Sequence, residues 1–317
     1  MKTLADAGYA PSHLKVLRQA ARAGKGLVLI SGITGSGKSN TLKLFIEDLP
    51  GLEHLAVYTI EDPVEQEIRR AHQIEVLRNL ADEAETRRTY AQVMKAILRG
   101  DPDACSVGEI RDDLTARFGM QLALTGHMAF ATVHAHLLEN IVPRLSDKEI
   151  GLDRHSLCGH KIIQLLLYQA LVPLLCTKCA LPADVAKSQD AEVAELLPLL
   201  SKKFGVSTTA LRFARKGGCK HCRGLGTRGR TLVAEMLQPD RAWLAHVRAG
   251  DDDAAMRHYR SRSDRNLHSA DMSGKTVFEH TLWKALQGWV DPRACHEFDS
   301  FEQFEVLSPA APAEACA

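Results

Sequence analysis

The sequence predicts an α/β domain built on a mostly parallel sheet. Three observations support this. Between about residues 12 and 136, short apolar runs alternate with stretches of helical period. GLVLISG is a short apolar run that ends in glycine, as expected of a strand buried on both faces. Two other runs, LAVYTIED and ACSVGEIRD, pass directly into acidic residues, so charged groups are expected at strand ends.

In chain order, PSHLKVLRQAARAG reads as a helix that Ser12 can cap and Gly24 stops, with Leu14, Leu17 and Ala21 at helical spacing. GLVLISG follows as a strand, then a helix from Lys38 to about Asp48, then the strand LAVYTIED. EAETRRTYAQVMKAILRG has a helical period, ACSVGEIRD is a strand, DLTARFGMQLALTG a helix and MAFATVHA a strand. The pattern changes after Leu175. Paired cysteines, Gly217-Gly218 and RGLGTRGR suggest a small loop-rich insertion, and the chain from Arg241 to Phe304 is expected to be helical around the polar break RSRSDRNLHSADMSG. The division expected is therefore 1–175 for the α/β core, 176–230 for the insertion, 231–305 for a helical region and 306–317 for a disordered Pro/Ala-rich tail. There is no internal repeat.

The 317 residues carry a formal charge of +1, which argues against a bulk nucleic-acid binder or a polybasic membrane anchor. The N-terminus lacks the apolar core of a signal peptide. KIIQLLLYQALVPLLC is interrupted by Gln164, Tyr168, Gln169 and Pro173, too often for a membrane helix. A cytoplasmic protein is the expectation.

GITGSGKS, Gly32 to Ser39, satisfies G-x-x-x-x-G-K-[ST] between a strand and a helix, the context that a phosphate-binding loop requires. Gly32, Thr34, Gly35, Ser36, Gly37 and Lys38 would wrap backbone amides around phosphates at a helix N-terminus. Lys38 would reach the β- and γ-phosphates, Ser39 would ligate magnesium, and Asn40 follows. A nucleoside triphosphate, ATP, is the expected ligand. Such a site needs carboxylates for magnesium and for the attacking water. Glu61-Asp62 and Glu109 stand at strand ends where open α/β sheets bind ligands. GHMAFATVHAH holds His127, His134 and His136. His134, at a strand end, could hydrogen-bond a phosphate oxygen, while zinc on the three histidines is the competing reading.

Cys176-x-x-Cys179, 39 residues, then Cys219-x-x-Cys222 has the spacing of a four-thiolate structural zinc site. Glycines in CRGLGTRGR would let amides face the sulfurs. A redox pair is the alternative, but the sequence around it is not thioredoxin-like. Cys105, Cys158, Cys295 and Cys316 are scattered.

GITGSGKS, TIEDPVE, AILRGDPDACSVGEIRD, ALTGHMAFATVHAH and CTKC…CKHC together resemble the type II/type IV secretion ATPases, over roughly Leu14 to Leu237. The four cysteines resemble the pilus-assembly and type II secretion branch, and unorthodox positions suggest a type IV pilus or type IVb plasmid-pilus member. The resemblance implies a RecA-like P-loop ATPase with ATP, Mg2+ and Zn2+. It would form a homo-oligomeric, typically hexameric ring peripheral to the membrane, at the cytoplasmic face of an inner-membrane platform protein. It implies Glu61 as the carboxylate that polarises water and Glu109 as support for magnesium. His127 and His134 become a histidine box coupling phosphate to domain movement; no role passes to His136.

Departures bear on turnover. Asn40 stands where a threonine is usual, Ala170 and Pro173 where arginines are common, and Cys105 and Ser106 where the strand is usually apolar. The resemblance implies an N-terminal domain whose arginines reach nucleotide, and the chain begins close to the ATPase domain, so either it is a fragment or those arginines are expected from elsewhere. An arginine finger is worth a factor of about 10³ or more, so this piece alone is expected to turn over ATP poorly. Competing readings are an ATP-binding assembly subunit with little activity, a RecA-like nucleic-acid motor and a small-molecule kinase.

Overall fold

The computed structural model describes residues 3–77, 79 and 81–307; Cys316 and the tail from residue 308 lie outside them. The chain forms two compact units, Met1–Ala170 with Met236–Ser261 and Leu171–Glu235 with Arg262–Ala317. These units interleave along the chain, whereas the division drawn from the sequence is linear.

The first unit opens with α1 (Pro11–Ala23). Its N-cap is Ala10, which makes no side-chain cap bond; Pro11 sits in the first turn and displaces the expected cap Ser12. β1 (Gly26–Ser31) is buried at every position, as its apolar run requires. It is followed by α2 (Lys38–Glu47), β2 (Val57–Glu61) and β3 (Ala71–Glu75). Then come α3 (Glu83–Arg99), β4 (Ala104–Ile110), α4 (Asp113–Leu124), β5 (Met128–Val133), α5 (Ile141–Leu145) and α6 (Arg154–Leu157). α3 and α4 are capped by the Asp82 and Asp112 carboxylates, each accepting a backbone N–H three residues on.

β6 (Ile163–Leu175) runs from the first unit into the second. It occupies the apolar stretch set aside above as too interrupted for a membrane helix, and no helix among the described residues is long and apolar enough to cross one. The sheet order is β3-β2-β4-β5-β1-β6, followed by β9 (Thr227–Leu237). β1 pairs with β5 and β6, β2 with β3 and β4, and β4 with β5, all parallel. β3 had no signal in the sequence because AHQIE is polar and only partly buried, as suits an edge strand. The first unit closes with α9 (Arg241–Arg248) and α10 (Asp252–Arg260), where Arg154 makes a two-pronged ion pair with Asp252 at 2.7 and 2.9 Å.

The second unit departs from the sequence reading in two ways. Residues 176–230 are not mainly loop: beside the short pair β7 (Leu181–Pro182) and β8 (Arg212–Phe213) they contain α7 (Ala183–Gln189) and α8 (Ala191–Phe204). Residues 231–237 belong to strand β9 rather than to a helical region. The unit has an apolar core of its own. Val193, Leu196, Leu200 and Phe204 of α8 are buried with Phe278 and Leu282 of α11 (Val277–Leu286) and with Phe301. Phe278 and Phe304 stack with centroids 4.0 Å apart. The partners of α8 come from some 80 residues further along the chain, so its local pattern could not reveal them.

Lys284 is 1% exposed and donates to Thr231 Oγ1 at 2.7 Å and to the Leu232 carbonyl at 2.5 Å. Burial pushes its ammonium down to about 7. The unfolded chain, with a lysine near its ordinary value of about 10.4, therefore binds more protons than the native one between pH 7 and 10. The contribution of Lys284 to stability accordingly rises with pH across that window. Urea unfolding followed between pH 7 and 9 should show a component of on the order of 1 kcal/mol per pH unit that disappears in Lys284→Met.

Candidate nucleotide site and cysteine cluster

The loop Gly32–Gly37 joins the carboxyl end of β1 to the N-terminus of α2, whose N-cap Gly37 has φ 84°. Lys38 Nζ donates to the carbonyls of Gly32 at 2.7 Å and Ile33 at 3.1 Å. Burial lowers the lysine from its ordinary value, against the opposing pull of Glu109. The loop is also held from behind. Gln169 of β6, fully buried, donates from Nε2 to the Ser36 carbonyl at 2.8 Å and accepts from the Tyr9 hydroxyl at 2.8 Å. Tyr9 lies 3.0 Å from Thr41 Oγ1 on α2, and its burial raises the phenol. Tyr9 and Gln169 were not among the residues singled out as site residues. The available signal was a polar residue inside the apolar run LLLYQALV.

Glu61 ends β2 and Glu109 lies near the end of β4, so both reach the edge of the sheet that carries the loop. The register of β4 against β5 shifts between Ser106 and Glu109. Gly108 makes this bulge possible: its φ is 71°, and a Cβ there would lie 2.6 Å from the Ile60 carbonyl oxygen. The bulge presents Glu109 to two partners. Arg111 donates to its Oε2, and His134 Nε2 lies 2.8 Å from Oε1. Glu61 Oε1 accepts from Thr59 Oγ1 at 2.6 Å and from Gln73 Nε2 at 2.8 Å. Ser39, Lys43, Glu61, Asp62, Glu109 and Arg111 line one cleft. Arg111 joins this set although no role was assigned to it from the sequence.

The two histidines of the expected box are not brought together. His134 directly follows β5, whereas His127 directly precedes it, with Nδ1 2.8 Å from Thr125 Oγ1. The six residues of β5 separate them by about 20 Å, so His127 stands at the far edge of the sheet from the phosphate loop. Strand direction, which spacing along the chain does not encode, is the reason. His136 is exposed. Among the described residues the histidines form no group of three able to hold a metal, and the length of β5 keeps His127 away from His134 and His136.

The cysteines do gather. The Sγ atoms of Cys176, Cys179, Cys219 and Cys222 all lie within 4.8 Å of one another, with Cys176–Cys219 and Cys179–Cys222 both at 3.8 Å. A tetrahedron with Zn–S bonds of about 2.3 Å has edges of about 3.8 Å, so the cage fits that ion. Cys222 Sγ accepts the backbone N–H groups of Cys219 at 3.1 Å and Gly226 at 3.2 Å, as thiolates bound to metal require. Gly218, at φ 50°, permits the approach: a Cβ would meet Cys222 Sγ at 2.7 Å.

A phosphate loop at the carboxyl end of a central parallel strand, with carboxylates at the ends of β2 and β4 in the same sheet, defines a P-loop α/β domain, here joined to a cysteine-caged second unit. Residues 1–283 match the family model described as "Type II/IV secretion system protein", and the chain belongs to that family. It is 32% identical over 286 residues to the type IV pilus assembly ATPase PilB of Thermus thermophilus, covering 89% of this chain and 29% of the relative. It is 36% identical over 244 residues to the type II secretion system ATPase E of Vibrio cholerae, covering 74% of this chain and 43% of the relative. The chain thus spans less than half the length of these two relatives. In fold it is similar to the pilus retraction motor PilT with bound ADP (TM-score 0.63, 20% identity, 96% of this chain and 69% of that one). It is also similar to the ATPase DotB of Legionella pneumophila (TM-score 0.57, 20% identity, 93% of this chain and 64% of that one).

Two effects oppose each other at His134. Burial lowers its imidazolium and Glu109 raises it, while Lys38, Arg111 and Arg144 add to the lowering; the net direction is down. A titration of the His134 ring followed by NMR should therefore have its midpoint below about 6.5, the ordinary histidine value. Glu109→Gln removes the one group pulling the imidazolium up and should move that midpoint lower still.

Proposed function

We propose that this chain carries the ATP-hydrolysing core of a motor for type IV pilus assembly or type II secretion. The carrying observation is that Lys38, Ser39, Glu61, Glu109 and His134 meet at one edge of the sheet. The names of the PilB and ATPase E relatives support the biological setting. On this reading the amides of the loop from Gly32 to Lys38 receive the phosphates, including those of Thr34, Gly35, Ser36 and Gly37, and Lys38 offsets their charge. Ser39 and Glu109 would hold magnesium, and Asn40 follows on α2. Magnesium would supply neutralisation of phosphate charge. Glu61 orients and deprotonates the attacking water, and His134 donates a hydrogen bond to a phosphate oxygen. His127, at the opposite end of β5, would act in this scheme only through the strand.

The motor is proposed to be a homo-oligomeric ring, hexameric by family analogy, on the cytoplasmic face of the inner membrane against a platform protein. Structural zinc in the tetracysteine cage completes the proposal.

Magnesium-dependent ATP hydrolysis, measured over a range of protein concentrations, tests the catalytic part. The rate per chain should rise with concentration, and Glu61→Gln and Lys38→Ala should each lower it by about 100-fold or more. Hydrolysis that persists in Glu61→Gln would sink the assignment, and a rate raised by added DNA would favour a nucleic-acid motor.

Metal analysis tests the cage. Zinc should be retained in a His134→Ala, His136→Ala double variant and lost in Cys176→Ser and Cys222→Ser. The reverse pattern would place the metal at the histidines.

A further inference from the structure

Gln73 lies on the edge strand β3, and its side chain makes three hydrogen bonds. Its Oε1 accepts the backbone N–H of Ile68 at 2.8 Å, and its Nε2 donates to the Gln66 carbonyl at 2.9 Å and to Glu61 Oε1 at 2.8 Å. The chemistry of the partners allows one orientation of the amide. An N–H group must face the oxygen, and a carbonyl and a carboxylate must face the nitrogen. One side chain therefore ties the chain between β2 and β3 to the carboxylate at the end of β2. Glu65, Gln66 and Ile68 of that segment line the same cleft as Ser39 and Glu109. The segment is also pinned at Val64, whose N–H is accepted by Glu75, and at Arg69, whose N–H is accepted by Glu47.

The parallel register of β2 and β3 pairs Thr59 with Gln73 and Glu61 with Glu75. Thr59 and Gln73 thus sit side by side on the face that Glu61 shares, and both donate to its Oε1. Among the described residues no donor reaches Oε2. Two convergent donors fix the carboxylate in one rotation.

We propose that Gln73 is a positioning residue for Glu61, holding the carboxylate and the segment after it in one arrangement so that Oε2 meets the attacking water in line. This rests on the reading of Glu61 given above. Turnover is sensitive to such placement: displacing a reacting group by about 1 Å costs on the order of 100-fold. The charged groups facing Glu61 are Asp62 beside it in the chain and Glu75 opposite it in register, with Lys43, Glu65, Glu109 and Arg111 across the cleft.

Two variants separate positioning from scaffolding. Gln73→Met removes all three hydrogen bonds. Gln73→Glu keeps an acceptor for the Ile68 N–H but replaces the donor to Glu61 with a negative charge. Steady-state hydrolysis by the full chain is measured with ADP binding by calorimetry as the control, alongside Glu61→Gln. The proposal expects kcat to fall roughly 10- to 100-fold in both variants, with KM and ADP affinity within about threefold of the parent. In Gln73→Glu the acid limb of the kcat profile should move to higher pH, because the new carboxylate disfavours ionisation of its neighbour.

Parent-like kcat and an unshifted profile in Gln73→Glu would overturn the proposal, since pinning Ile68 would then be the whole role. Loss of ADP binding in Gln73→Glu would also overturn it, by making the residue a support for the pocket at large. If Gln73→Met fails to fold, Gln73→Glu still decides. A Glu61→Gln chain as active as the parent would instead defeat the reading of Glu61, and this proposal with it.

Discussion

Burial of β1 on both faces is the constraint on which the rest of the site depends. Leu27, Val28, Leu29 and Ile30 are at most 1% exposed, held between β5 and β6 in parallel register. Each such side chain stabilises the fold by about 1.5–3 kcal/mol, which leaves little freedom for the strand to slide. The loop that leaves its carboxyl end therefore starts from a fixed point. Gln169 and Tyr9 extend that rigidity by spending their buried polar groups on the loop backbone and on α2. A polar network inside a core is stable only when its members are paired, and here the pairing partners are the parts of the loop that must hold their shape.

Around this anchor the carboxylates divide their surroundings. Glu109 is in contact with cationic or ionisable partners, Arg111 and His134, and acts on Lys38 at longer range. Glu61 is bonded by the neutral groups of Thr59 and Gln73. Cationic neighbours offset the charge of the first carboxylate, whereas neutral donors set the direction of the second. The different environments support different roles for two residues that look alike in the sequence.

The second unit follows a different logic. Its α8–α11 core is packed by phenylalanines, while the cysteines form a separate small cluster at the end of β6. β6 links the two regions along the chain: Gln169 supports the phosphate loop, and seven residues on, just past the end of the strand, Cys176 begins the cage. The cage is shaped by backbone, through amides of Cys219 and Gly226 aimed at Cys222.

Much of this was legible in the residues alone. The strand–loop–helix around GITGSGKS, the acidic strand ends at Glu61 and Glu109, and the four-cysteine spacing are local patterns, and local patterns carry their own physics: glycines for amide access, C-x-x-C for a tight pair of sulfurs. Only tertiary structure decided the rest. β3 is a polar edge strand without periodicity. β9 and α8 depend on partners far along the chain. The separation of His127 from His134 depends on which way β5 runs. Gln73 shows the limit most clearly. Nothing in AHQIE marks it, and its importance comes from a register that sets it beside Thr59 and within reach of Glu61, contacts made across strands rather than along one.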